Sequence, residues 1–153
     1  MPRVAILLVA VASCLAAGVS AQGNAALPAP LAPSPPCPAN AAELPVTALY
    51  GVWEARIDDQ GGVAEVRLAR HPDYEGSVRG TIDRNGVKAQ LAGDIDDEGN
   101  LNLDESQDGR AISAVWSGEM QTASCGREFK GIWRNTTNDT THPFILRRAG
   151  GWQ

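Results

Sequence analysis

The sequence predicts an all-β protein: an antiparallel up-and-down meander of about eight strands closing into a small β-barrel, preceded by a signal peptide and a proline-rich linker. Three observations carry this. Apolar and polar residues alternate with period two from Val46 onward. Turn residues interrupt the alternation at short intervals, and no helical period of useful length follows the N-terminal apolar run. Gly80, Gly93, Gly118 and Gly131 sit in the same register as the apolar residues of their own segments. Interior glycine lets a strand bend sharply where a small barrel closes, and closure removes the exposed edges that a meander would otherwise present. A curved, incompletely closed sheet is the competing architecture.

Residues 1–21 read as a secretion signal. Arg3 is the only charge before Glu43, Val4 to Ala17 is almost unbroken apolar sequence, and Val19-Ser20-Ala21 supplies small residues for cleavage after Ala21. The apolar run is too short for a bilayer core of about 30 Å. Val11-Ala12-Ser13-Cys14 also resembles a bacterial lipobox, in which Cys14 would be lipidated and become the mature N-terminus. Cleavage after Ala21 is preferred because apolar sequence continues past Cys14. Residues 22–45 hold seven of the ten prolines among Ala, Asn, Leu and Ser, which is the composition of an extended spacer. The barrel domain is assigned to residues 46–153.

Within that domain, residues 51–58 place Trp53, Ala55 and Ile57 on one face, and Asp59-Gln60-Gly61-Gly62 turns the chain. Residues 63–70 set Ala64, Val66 and Leu68 against Glu65 and Arg67. His71-Pro72-Asp73-Tyr74 begins a longer connection, and residues 76–83 supply Val78, Gly80 and Ile82. Arg84-Asn85-Gly86 is a strong hairpin signal, because Asn and Gly accept the positive φ of a tight turn. Residues 87–95 give Val87, Ala89, Leu91, Gly93 and Ile95. After the Asp97-Glu98-Gly99-Asn100 turn, Leu101 and Leu103 alternate with Asn102 and Asp104. Residues 111–120 give Ile112, Ala114, Trp116, Gly118 and Met120, residues 127–134 give Phe129, Gly131 and Trp133, and residues 144–148 form the last run. Short sequential hairpins place sequence neighbours side by side.

Thirteen Lys and Arg against eighteen Asp and Glu give a formal charge of −5, which becomes −6 once Arg3 leaves with the signal. That balance argues against nucleic acid, which requires a basic footprint. It also argues against an anionic membrane surface, leaving a lipid anchor at Cys14 as the only membrane association. A cationic partner is permitted. Cys37 and Cys125 remain in the mature chain, an even pair in an oxidising compartment, and read as a disulfide. Closing so long a loop is worth about 4 kcal/mol in the chain-entropy model.

The triplet Gly51-Val52-Trp53 resembles the Gly-x-Trp on the first strand of lipocalins and avidin-like proteins. Gln90-Leu91-Ala92-Gly93 and Trp116-Ser117-Gly118 look like the middle strands of small bacterial barrels of the avidin type. The likeness covers residues 49–148. It implies an eight-stranded antiparallel barrel with a ligand cavity at one end. It does not extend to the contacts of a biotin pocket.

Asp94 to Glu105, DIDDEGNLNLDE, matches an EF-hand loop at Asp94, Asp96, Glu98, Gly99, Leu101 and Glu105, but its flanks read as strands rather than helices, so a turn with solvated acids is preferred and no metal is expected. Trp53, Trp116 and Trp133 share the interior register, as core or as the wall of a small apolar pocket. His71 and His142 each precede a proline and have no spacing to a metal-ligating partner. No nucleophile motif occurs, so neither an enzyme nor a cofactor is expected. The sequons at Asn135 and Asn138 matter only in a eukaryotic secretory route.

The expectation is therefore an exported barrel, periplasmic or extracellular or held as an outer-membrane lipoprotein. It would act as a binding module for a small apolar ligand lined by Trp53, Trp116 and Trp133. The alternative is an inhibitor of a secreted hydrolase such as a lysozyme or protease, acting through a protruding loop at residues 71–76 or 135–142.

Overall fold

The computed structural model describes residues 36–150. The signal peptide with Cys14, the greater part of the linker, and Trp152 lie outside the described residues. Eight strands follow one another: β1 (Gly51–Ile57), β2 (Ala64–Arg70), β3 (Val78–Arg84), β4 (Val87–Ile95), β5 (Asn100–Ser106), β6 (Ala114–Met120), β7 (Glu128–Asn135) and β8 (Thr141–Arg148). Each pairs antiparallel with the next, and β8 returns to β1, so the sheet closes. The meander and its closure are those the alternation predicted.

The inward residues of every strand fill the interior. Trp53, Val66, Val78, Ile82, Leu91, Leu101, Phe129 and Leu146 are essentially without solvent contact. Trp53 packs on Phe129 with ring centroids 5.9 Å apart, and Trp116 meets Phe144 edge-on at 4.9 Å. Such tilted and edge contacts suit the aromatic quadrupole. The interior glycines mark where strands press together. A Cβ at Gly131 would lie 2.0 Å from the Ser117 carbonyl oxygen, and one at Gly80 would lie 1.9 Å from that of Arg67. No side chain fits either place, so glycine is what lets the neighbouring strands approach so closely.

The N-terminal arm plugs one end. Two short 3-10 helices, Ala41–Glu43 and Val46–Leu49, lead into β1, and Ala41 and Leu49 are buried against the barrel. The Asn40 side chain accepts from the Ala42 backbone N–H at 2.9 Å and caps the first helix. Of residues 36–45, read from composition as spacer, Ala41 is buried and Leu44 packs against the core, while most of the others are exposed. The arm is tied down by the Cys37–Cys125 disulfide, with Cα atoms 4.8 Å apart, to the loop between β6 and β7. A second tie sits at the β1–β8 seam, where Trp53 and Arg148 are register partners. The Trp53 indole N–H donates to the Leu49 carbonyl at 2.8 Å, and Arg148 Nη1 donates to that of Ala48 at 2.7 Å. The Arg148 guanidinium lies over the Trp53 ring at 5.2 Å, a cation–π contact.

Two strand boundaries differ from the sequence reading. Ile112 is exposed rather than interior, because β6 starts only at Ala114. Residues before it form a loop in which Asp108 accepts from the backbone N–H groups of Arg110 and Ala111 at 2.8 and 2.9 Å. β8 begins at Thr141, three residues earlier than its apolar run, so His142 and Pro143 lie in the strand and not in a loop. Pro143 is tolerated because its carbonyl still accepts from Asp58 N–H at 3.0 Å. Val87, expected inside, lies exposed beside the β3–β4 turn.

Candidate functional site: the open mouth of the barrel

Opposite the plug, the barrel ends in a cup of about 400 Å³. All four hairpin connections at that end contribute: Gln60 from β1–β2, Asn85 from β3–β4, Gln107 and Ser113 from β5–β6, and Thr137 from β7–β8. The mouths of β-barrels are recurrent ligand sites, since a rigid wall there carries freely variable loops.

The floor of the cup is a buried charge. Glu105 points inward from β5, in the register of Leu101 and Leu103, and is 0 % exposed. Its Oε2 accepts from the indole N–H groups of Trp116 and Trp133, each at 3.1 Å, and from Arg84 Nη1 at 3.0 Å. Its Oε1 accepts from Arg84 Nη2 in a bidentate pair. The desolvation of a carboxylate is met here by four charge-assisted or indole hydrogen bonds, as a buried ion requires. The Arg84 guanidinium also lies over the Trp133 ring at 5.5 Å, and its side chain is 13 % exposed toward the cup.

The walls are held by short-range bonds. Ser113 Oγ donates to the Glu105 carbonyl at 3.1 Å and closes the β5–β6 connection, and Thr136 Oγ1 donates to that of Ile112 at 2.6 Å, stitching the β7–β8 connection to it. The backbone N–H groups of Ala111 and Arg110 hold the Asp108 carboxyl below the ordinary aspartate value, so the turn stays ionised and braced.

The three tryptophans do not form one wall. Trp116 and Trp133 are register partners and share Glu105 beneath the mouth. Trp53 is at the plugged end: it pairs with Arg148, whereas Trp133 pairs with His142, six residues earlier on β8. The calcium-loop match is likewise taken apart by the strands. Asp96 accepts from Asn100 N–H at 2.7 Å and from the Asn102 amide at 2.9 Å in the β4–β5 turn, while Glu105 stands at the far end of β5, inside the barrel. Those bonds, the Asn100 backbone N–H above all, lower the Asp96 pKa.

A second concavity of about 430 Å³ lies at the plugged end, between the arm and the β2–β3 and β4–β5 connections. Above it stands the β2–β3 loop. Its His71 Nδ1 accepts from the backbone N–H groups of Asp73 and Tyr74, both at 3.1 Å, and the two rings lie 4.7 Å apart. The loop presents Tyr74 at 66 % exposure. The other loop singled out from sequence, 135–142, is shortened by the strands to an exposed connection at residues 136–140, with Asn135 Oδ1 accepting from Thr137 N–H at 2.8 Å. Among the described residues no cluster of His, Cys, Asp and Glu could hold a metal ion.

Sequence reading missed Arg84 and Glu105. Glu105 fell in the inward register of its strand, and a lone acid there is the pattern that could have revealed it. No protein-family model matches the chain, and no curated protein matches it.

Proposed function

We propose that this protein is a non-catalytic binding module of an exported, non-reducing compartment, and that it binds its ligand in the open mouth of the barrel. One observation carries the reading: four connections converge on a cup whose floor is a bidentate Arg84–Glu105 pair with Glu105 fully buried. A buried ion pair is seldom a net stabiliser compared with apolar side chains of similar volume. Its place at the mouth supports a role in shaping a site. The disulfide supports export, since such bonds persist where thiols are not kept reduced. A secretion signal belongs to the same proposal, with cleavage after Ala21 preferred and lipidation at Cys14 as the alternative that would end the signal earlier. So does a calycin-like relationship, supported by the closed eight-strand order and by Gly51-Val52-Trp53 on β1. Trp133 and Val87 supply the apolar part of the lining, Trp53 none.

The test is thermal stabilisation by a ligand panel. A ligand that binds only the folded state stabilises it by RT ln(1 + [L]/Kd) and so raises the melting temperature. A Ser113→Trp variant, which blocks the cup, is expected to lose the shift while a Tyr74→Ala variant keeps it. Retention of the shift in the blocked variant would refute the mouth as the site.

A second reading has one observation in its favour. The braced β2–β3 loop presents an exposed tyrosine, the residue type that anchors protein interfaces at low entropic cost. An inhibitor of a secreted lysozyme or protease would act through it. Inhibition by the mature domain that disappears in Tyr74→Ala would establish this reading, and no inhibition at micromolar protein would dismiss it.

A further inference from the structure

We infer that the mouth is built for a neutral, polyhydroxylated ligand the size of a mono- or disaccharide. This rests on the mouth being the ligand site and assigns its chemistry.

Charge comes first. The only ionised groups lining the cup are Arg84 and Glu105, and each neutralises the other. An anionic ligand would meet no uncompensated cation in the lining, because Glu105 already balances the Arg84 charge, and could gain that charge only by drawing the fork away from Glu105. That would strip a fully buried carboxylate of its counter-ion, which is strongly unfavourable. A cation would meet no free carboxylate in the lining. The cup therefore favours an uncharged occupant.

Hydrogen-bonding capacity comes second. Gln60, Asn85 and Gln107 reach the cup from three different connections, and their carboxamides make no hydrogen bond to other described residues. Each offers two donors and an acceptor. A hydroxyl both donates and accepts, so adjacent hydroxyls on a ring can satisfy both ends of one carboxamide. Arg84 spends one N–H of each terminal nitrogen on Glu105. A guanidinium carries five N–H groups, so the Nε–H and the outer N–H groups stay available to hydroxyl oxygens. A pocket that hydrogen-bonds hydroxyls rejects analogues lacking them, because its own polar groups are then left unpaired.

Apolar surface comes third, and it is scarce. The Trp133 ring is covered by Arg84 on one side and lies against His142 at 5.8 Å, which leaves it 3 % exposed. Val87 is the one aliphatic side chain in the lining. A purely aliphatic ligand would desolvate the carboxamides without replacing their bonds to water.

The experiment is isothermal titration of the disulfide-intact mature protein at pH 7. The probes are glucose, N-acetylglucosamine, maltose and diacetylchitobiose, with citrate and 1-octanol for comparison. At least one neutral sugar is expected to bind, with affinity at least tenfold weaker in the Gln60→Ala/Gln107→Ala double variant. Both positions are exposed, so unchanged circular dichroism and melting will show the variant folded. If citrate or octanol binds, the Ser113→Trp block abolishes that binding and no sugar binds, the mouth is a site but the ligand class is refuted. If no probe binds, the sugar assignment is refuted and the mouth loses its support as well.

Discussion

Glu105 is the residue on which the open end depends. It accepts hydrogen bonds from two indoles and an arginine drawn from three other strands, β6, β7 and β3, so one carboxylate couples four strands. Glu105→Ala leaves the Arg84 guanidinium without its partner and two indole N–H groups without an acceptor, and is expected to cost about 3–5 kcal/mol. Arg84→Ala leaves the opposite charge buried. The double variant removes both problems of the ion pair, so its cost should fall short of the sum of the singles by about 1–3 kcal/mol. Urea unfolding of the three variants measures this, and strictly additive losses would contradict the coupling. Of this network the sequence displayed only positions. Trp116 and Trp133 were visibly inward from their alternation, but Glu105 was read as a solvated acid of the calcium-loop match, and Arg84 as part of a hairpin turn, because its partner lies 21 positions away. Arg148 was equally silent, since its stacking on Trp53 exists only once β8 meets β1.

At the scale of elements, alternation was enough to locate all eight strands, and boundaries failed where two cues conflicted. Ile112 carried the right period but followed a turn that the Asp108 hydrogen bonds lengthen. Pro143 argued for a loop, yet a closing strand can use a residue whose carbonyl alone is bonded. The glycine register was the more reliable cue, because it reflects a steric demand. Gly131→Ala would place a methyl 2.0 Å from the Ser117 oxygen and 2.4 Å from the Gly118 Cα, so β6 and β7 would have to part. The expected loss of stability exceeds the roughly 1–3 kcal/mol of ordinary overpacking, since backbone and not a flexible side chain must yield. A denaturation midpoint equal to that of the parent protein would show that the strands are not so closely apposed.

The described residues form a closed barrel with unlike ends: one plugged by a disulfide-tied arm, one open over a charged floor. Its carboxylates set its acid response. Asp96 and Asp108 are held below their ordinary values by backbone N–H groups. For Glu128 burial pushes the pKa up, but hydrogen bonds from Arg147 and Lys130 outweigh it and the net direction is down. In each case the unfolded chain takes up protons at higher pH than the folded one. The stability these groups contribute is therefore complete above about pH 5 and is lost as pH falls through about 4 toward the lowered folded values. Melting temperatures between pH 7 and pH 2 should fall along that course. A rise on acidification within it would contradict the assignment.

The central claim is that the open mouth, and not the plugged end or the Tyr74 loop, receives the ligand. The indole N–H signals in a two-dimensional nitrogen–proton spectrum test it most directly. Trp116 and Trp133 donate to Glu105 under the mouth, whereas Trp53 donates to Leu49 under the plug. Titration with a small-fragment library, sugars included, is expected to move the Trp133 and Trp116 indole signals together with the side-chain amides of Gln60, Asn85 and Gln107, leaving Trp53 in place. Fragments that move Trp53 or the Tyr74 loop and leave Trp133 and Trp116 unmoved would contradict it.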